Sequence, residues 1–175
     1  MTADTARFWN PARKRLYGFV LLGTMAFVAW QSLANWRDNH GFLINISPSL
    51  PNWAYLLERK TPAQRGDLIF FRAPASDVLV KSFGEGEHLF GKRVYGIAGD
   101  VVTLESRSFF VNGKQVAVAK PATKRGDPLE VGPTGTIPQG CYFVGTDHPD
   151  SFDSRYALIG WICRDRVLGT GTAIL

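Results

Sequence analysis

A chain of 175 residues, 45% hydrophobic and 20% charged with 18 Gly and 10 Pro, has the length of one ordinary domain and little room for a second. A mean hydropathy of -0.05 excludes a protein of many membrane spans, 13% aromatic residues exclude a disordered chain, and two cysteines exclude a disulfide framework or a four-cysteine zinc site. Of the formal charge of +5, residues 1–36 hold +3 and the rest, sixteen basic against fourteen acidic residues, only +2, too even a balance for a nucleic-acid partner.

The N-terminal excess comes from Arg7, Arg13, Lys14 and Arg15 against Asp4. Directly after it, Leu16–Ala34 runs for 19 residues without a charge, about 28 Å of helix at ~1.5 Å per residue and just sufficient to cross a bilayer core. Trp30 and Trp36 stand near its far end, where amphipathic rings favour the headgroup layer. The reading is a cytoplasmic basic segment over 1–15, a transmembrane anchor over 16–36 and a periplasmic domain over 37–175. Arg13-Lys14-Arg15 set the orientation. A cleavable signal peptide ending near Ser32-Leu33-Ala34 is the alternative, and a buried core helix the third option.

Beyond Asn39 the pattern changes to short segments of period two. Phe42, Ile44 and Ile46 alternate with Leu43, Asn45 and Ser47 as in a strand. Asp67–Arg72 reads as a buried strand. Arg93–Ile97 and Val101–Glu105 flank Gly99-Asp100 and predict a hairpin-like pair. Phe109–Val111 and Gln115–Val118 about Asn112-Gly113 predict a hairpin with a type I′ turn. Cys141–Val144 and Leu158–Ile162 are further apolar runs, and the C-terminal RVLGTGTAIL supplies a last strand. Ala73–Gly91 and Lys120–Pro138 read as loops. The fold class is therefore mainly β, an antiparallel domain behind one N-terminal helix.

Four stretches carry candidate chemistry: Ser47-Pro48-Ser49-Leu50-Pro51, Arg65–Phe71 (RGDLIFF), Gly91–Asp100 (GKRVYGIAGD) and Gly145–Tyr156 (GTDHPDSFDSRY). Taken singly, each has a structural explanation: a rigid turn, a solvated basic pair, a Gly-Asp turn, a same-face Asp153/Arg155 salt bridge. His40, His88 and His148 fall in no triad or metal-ligand spacing, and nothing implies a metal or cofactor.

In this order, and behind a basic-flanked apolar helix, the set resembles the bacterial type I signal peptidases, membrane-anchored serine proteases that remove leader peptides from exported proteins. The resemblance covers most of residues 40–165. Within the family, Ser49-Leu50-Pro51 and the compact size are similar to the conjugative-transfer, TraF-type peptidases that mature pilin precursors. Two departures stand beside it: Gly145-Thr146-Asp147-His148 replaces the housekeeping Gly-Asp-Asn-Arg, and Pro51-Asn52-Trp53 lacks the Gly often found after that proline.

The resemblance implies a signal-peptidase-like β fold with Ser49 as nucleophile and Lys92 as general base. It also implies Ser47 as an oxyanion donor, Ser151 as the serine that orients the lysine, and Asp153 with Arg155 as a structural ion pair. A lysine can accept a proton near neutrality only if its pKa falls from ~10.4 to ~8, about 3 kcal/mol of destabilisation of the cation, which burial among residues such as Phe90 and Val94 supplies. By alternation Arg93 points to the opposite face. The expected partners are a precursor protein with its leader peptide, the lipid bilayer, and conjugation or secretion machinery; the expected substrate is a pilin or another conjugative-transfer protein. A general housekeeping signal peptidase and a non-catalytic envelope or pilus-assembly component are the alternatives. Trp53 and Tyr55 are candidates for lipid contact or for the core. Cys141 and Cys163 leave both a disulfide and two buried thiols open.

Overall fold

The computed structural model describes residues 11–45, 50–59 and 61–174. Its first unit, which ends at His40, is built on the helix α1, Pro11–Asn39. Pro11 opens the helix at a position where its missing N–H costs nothing. The one hydroxyl in the middle of the apolar run, Thr24 Oγ1, donates back to Val20 O at 2.8 Å. None of the 29 residues is buried, as they are in a core helix, and α1 is long and apolar enough to cross a membrane.

The second unit, from Gly41, is built on eleven strands and one short helix. The strands are β1 His40–Ile44, β2 Ala54–Glu58, β3 Leu68–Arg72, β4 Leu89–Gly96, β5 Val101–Glu105, β6 Ser108–Val111, β7 Lys114–Val118, β8 Gly135–Thr136, β9 Cys141–Gly145, β10 Ile162–Cys163 and β11 Val167–Ala173; α2 spans Asp77–Phe83. They form a seven-stranded sheet, β1-β2-β11-β3-β4-β9-β10, and a four-stranded sheet, β7-β6-β5-β8. The ladders joining β2 through β10 in the first sheet, and all those of the second, are antiparallel.

The apolar runs without alternation are the strands covered on both faces. In β9 all five residues are buried. Cys141 and Phe143 pack with Val102, Phe109, Val111 and Ile137, whereas Tyr142 and Val144 pack with Ile69, Phe71, Val94 and Ile162. In β3, Ile69 and Phe71 join this second cluster, and Phe70 faces a third with Leu50, Tyr55 and Leu57.

The hairpin about Asn112-Gly113 forms as expected, with φ of 49° and 79° at the two turn residues and Val111 opposite Lys114. Four other expectations are corrected. The strands flanking Gly99-Asp100 are not partners: β4 pairs with β3 and β9, and β5 with β6 and β8. The Asp100 carboxylate makes that turn a junction between sheets, accepting from Ile97 N at 2.7 Å, Asn112 Nδ2 at 2.8 Å and Arg65 Nη2 at 2.6 Å. The run Leu158–Ile162 is mostly turn, closed by Gly160 N–H donating to Tyr156 O, and only Ile162 enters β10. The expected loop Ala73–Gly91 contains α2, which follows Ser76 and stops at Gly84 with φ 92°, and the start of β4. The loop Lys120–Pro138 contributes β8. In β1 the period holds but Phe42 and Ile44 are 70% and 72% exposed, with Leu43 on the inner face. Strand β2 was hidden in the tail of the Ser-Pro box. Its Tyr55 is wholly buried, a core residue rather than a lipid contact, and Trp53 is exposed.

Cys141 and Cys163 stand opposite each other on β9 and β10 and form a disulfide across the ladder.

Candidate active site

Lys92 lies in β4, opposite Ile69 of β3, and only 4% of it is exposed. Its inward direction follows from the strand: Lys92 and Val94 are buried, while Arg93 between them is exposed and donates from Nη1 to Gly66 O at 2.7 Å. Lys92 Nζ sits 5.3 Å from the centroid of the Phe90 ring, which is itself packed edge-on against Phe71 and Phe83. Burial is the main force on this ammonium and lowers its pKa to about 8; the Asp153 carboxylate opposes the fall and the Arg155 guanidinium adds to it.

The residue before it is a glycine, and a side chain there would displace its neighbours. A Cβ on Gly91 would lie 2.6 Å from Phe70 Cε1 and 2.8 Å from Leu50 Cδ1. Leu50, the residue after Ser49, therefore presses its side chain on the backbone beside Lys92. Ser49 itself, with Ser47, lies outside the described residues.

Ser151 is buried, and its Oγ has no hydrogen-bond partner among the described residues. Its backbone is held by Ser151 N donating to His148 O at 3.2 Å and by Arg155 Nη2 donating to Ser151 O at 3.3 Å. Arg155 and Asp153 are both buried and form a bidentate pair, Nε to Oδ1 and Nη2 to Oδ2 at 2.8 Å each. The remaining guanidinium hydrogens reach Val118 O and His148 O, so the pair ties the segment after β9 to the end of β7. His148 Nδ1 accepts from Asp150 N at 3.2 Å, a local turn contact.

A cleft of about 710 Å³ joins these pieces. Lys92, Ser151 and Phe90 line it together with Asn45 and Leu50, the described residues on either side of 46–49. Its other wall comes from the α2 end and from Lys120–Arg125, where Lys120 and Lys124 both pair with Asp150.

Two contributors were not legible in sequence. Tyr95 donates from its hydroxyl to Asp147 Oδ1 at 3.0 Å, and its ring covers Gly145, where a Cβ would lie 2.6 Å from Cε2. Burial first, and that hydrogen bond second, push its pKa up, so the hydroxyl stays protonated. Asn45 donates from Nδ2 to Leu50 O at 3.1 Å and to Asn52 O at 3.0 Å. The only sequence signal for it is an asparagine in the alternating segment just ahead of the Ser-Pro box, a residue type that bonds local backbone.

The family model described as signal peptidase, peptidase S26, matches residues 13–175. Signal peptidase I T of Bacillus subtilis is 32% identical over 139 residues, 72% of this chain and 66% of its own length. The conjugal transfer protein TraF of Agrobacterium fabrum is 25% identical over 129 residues, 66% of this chain and 73% of its own. Among solved structures, a signal peptidase I of Enterococcus faecalis aligns over 64% of this chain and 98% of its own with 23% identity and a TM-score of 0.40. The aligned part thus spans just under two thirds of the Bacillus relative.

Proposed function

Since the chain belongs to the signal peptidase, peptidase S26, family, we propose that it is a membrane-anchored serine endopeptidase that cleaves leader peptides from exported precursors, with Ser49 as nucleophile and Lys92 as general base. The observation that carries this is a lysine buried in a cleft with its pKa lowered to about 8, its chain neighbour Gly91 in contact with Leu50, the chain neighbour of Ser49. A serine hydroxyl needs a base at hand, and a lysine serves only when burial has made its neutral form accessible.

In this reading the scissile carbonyl carbon is attacked by Ser49 Oγ while Lys92 Nζ takes the hydroxyl proton. The oxyanion is met by the Ser47 hydroxyl and the Ser49 backbone N–H. Lys92 then returns its proton to the departing amine, leaving an ester on Ser49. A water gives a proton to Lys92 and attacks the ester, and the proton passes back to Ser49 as the acid product leaves. Ser151 Oγ, buried in the same cleft, orients the lysine, and the Asp153–Arg155 pair holds the Ser151 backbone in place.

The anchor spans 16–36 with the basic segment 1–15 cytoplasmic and the peptidase domain, 37–175, on the periplasmic side of the inner membrane. The disulfide supports an oxidising compartment for that domain, and tethering raises the effective concentration of membrane-borne leaders. Ser49-Leu50-Pro51 and the TraF relative favour a pilin or another conjugative-transfer precursor, handed over by conjugation machinery. The Bacillus signal peptidase relative favours general export as the second reading.

The test is cleavage of a leader-bearing precursor by the full chain in detergent. Ser49→Ala and Lys92→Ala are each expected to abolish it, and wild-type cleavage by either variant overturns the dyad. Offering a pilin precursor and a general secretory precursor side by side separates the two substrate readings.

A further inference from the structure

The two strands that enter and leave the Ser-Pro box are tied by one side chain. Asn45 follows β1, and its backbone N–H donates to Trp53 O at 2.8 Å. Its carboxamide nitrogen carries two hydrogens and spends both on carbonyls beyond Ser49, those of Leu50 and Asn52. The far side is fixed independently. Asn52 N donates to Tyr55 Oη at 3.2 Å, Tyr55 is wholly buried, and Leu50 packs with Tyr55, Leu57 and Phe70. Asn45 and the chain from Leu50 to Asn52, the described residues on either side of 46–49, are therefore bridged by a single half-buried carboxamide.

We propose that Asn45 is a positioning residue for the reaction, a clamp that ties the chain entering the Ser-Pro box to Leu50 and Asn52 on its far side before substrate arrives. This rests on the assignment of Ser49 as nucleophile. A nucleophile on an open loop must be ordered in every catalytic cycle, and a displacement of about 1 Å from attack geometry costs on the order of 100-fold in rate. A clamp on the two flanks of the box lessens that ordering cost. It does not contact the substrate's reacting atoms, so its effect belongs in kcat and not in KM.

The chemistry also fixes which substitution is worse. Two carbonyl oxygens converge on the amide NH2, so a double donor is needed at that nitrogen. Asn45→Ala removes the donors. Asn45→Asp, closer in shape, turns carboxylate lone pairs on both carbonyls. A residue that merely fills space ranks these two the other way.

The experiment uses the full chain in detergent and a synthetic precursor with an apolar leader ending in Ala-X-Ala. Wild type, Asn45→Ala, Asn45→Asp and Ser49→Ala are compared by kcat, KM and melting temperature. The expected result is a fall in kcat of about tenfold for Asn45→Ala, the lower end of what two lost net hydrogen bonds are worth, and about 100-fold for Asn45→Asp. KM stays within about twofold and the pH of half-maximal activity is unmoved. If Asn45→Asp does not fold, the kcat-against-KM split of Asn45→Ala decides. Asn45→Ala at or below Asn45→Asp in kcat, a loss confined to KM, or wild-type kcat beside an inactive Ser49→Ala overturns the clamp alone. Full activity of Ser49→Ala overturns the nucleophile assignment, and the clamp with it.

Discussion

An ammonium with 4% of its residue surface exposed has lost most of its hydration, and folding therefore shifts it toward the neutral amine. The same burial that fits Lys92 for the proposed role of base works against stability. Its folded pKa, about 8, lies below the unfolded value of ~10.4. Between those values the unfolded chain binds more protons, so stability rises with pH across that window, and below it the full cost of the buried cation, about 3 kcal/mol, is present. Lys92→Met is expected to lose all cleavage while raising the melting temperature at pH 7 by several degrees, a gain that shrinks as pH climbs from 8 to 10.5. A lower melting temperature at pH 7 contradicts an unfavourable buried cation. For the wild type, kcat/KM should rise through about pH 8, where the base becomes neutral; a flat profile from about pH 6 to 9 excludes a lysine base.

Where β4 leaves its sheet and β5 enters the other, one carboxylate gathers the donors of three segments. Arg65 precedes β3, Ile97 follows β4, and Asn112 lies in the β6–β7 turn. Burial pushes the pKa of Asp100 up, but the hydrogen bonds from Arg65, Ile97 N and Asn112 prevail and leave it lowered. That part of the stability is present above the unfolded value of ~3.9 and fades as pH falls through the lower folded one. Asp100→Ala is expected to cost about 2 kcal/mol, the scale of hydrogen bonds to a charged group, read as a lower urea midpoint with unchanged slope. A shift under about 0.5 kcal/mol, the ordinary range for surface substitutions, sinks the junction. This turn also marks the limit of what a sequence discloses. Asn112-Gly113 announced its hairpin because the partners adjoin and only certain residues tolerate positive φ. Alternation in Arg93–Ile97 gave the face of Lys92 but not its neighbours, because pairing with β3 and β9 is settled by residues about 25 and 50 positions away. Helix α2, at seven residues, is too short for a helical period to show. The Asn45 bonds depend on the chain turning back upon itself, which no local pattern records.

On the scale of the whole chain, the proposed orientation rests on a small asymmetry of basic residues. Arg7, Arg13, Lys14 and Arg15 precede the apolar run, and Arg37, in the last turn of α1, is the one basic residue in the stretch from the end of that run to Asn52. Lys and Arg counted near the ends of a span set its direction, and acidic residues contribute little. Neutralising Arg13, Lys14 and Arg15 to Gln leaves one basic residue on each side and removes the preference. The expected outcome is a mixed population: a C-terminal alkaline phosphatase fusion loses a large share of its activity, and protease added to spheroplasts leaves a matching share of the domain intact. Copies with the domain on the reducing side should also carry Cys141 and Cys163 as free thiols, since that disulfide needs an oxidising compartment, so thiol labelling should rise in step with the protected fraction. Wild-type phosphatase activity with no gain in labelling places the orientation signal elsewhere in the chain. A gain in labelling without protection instead separates the disulfide from the topology it is taken to report.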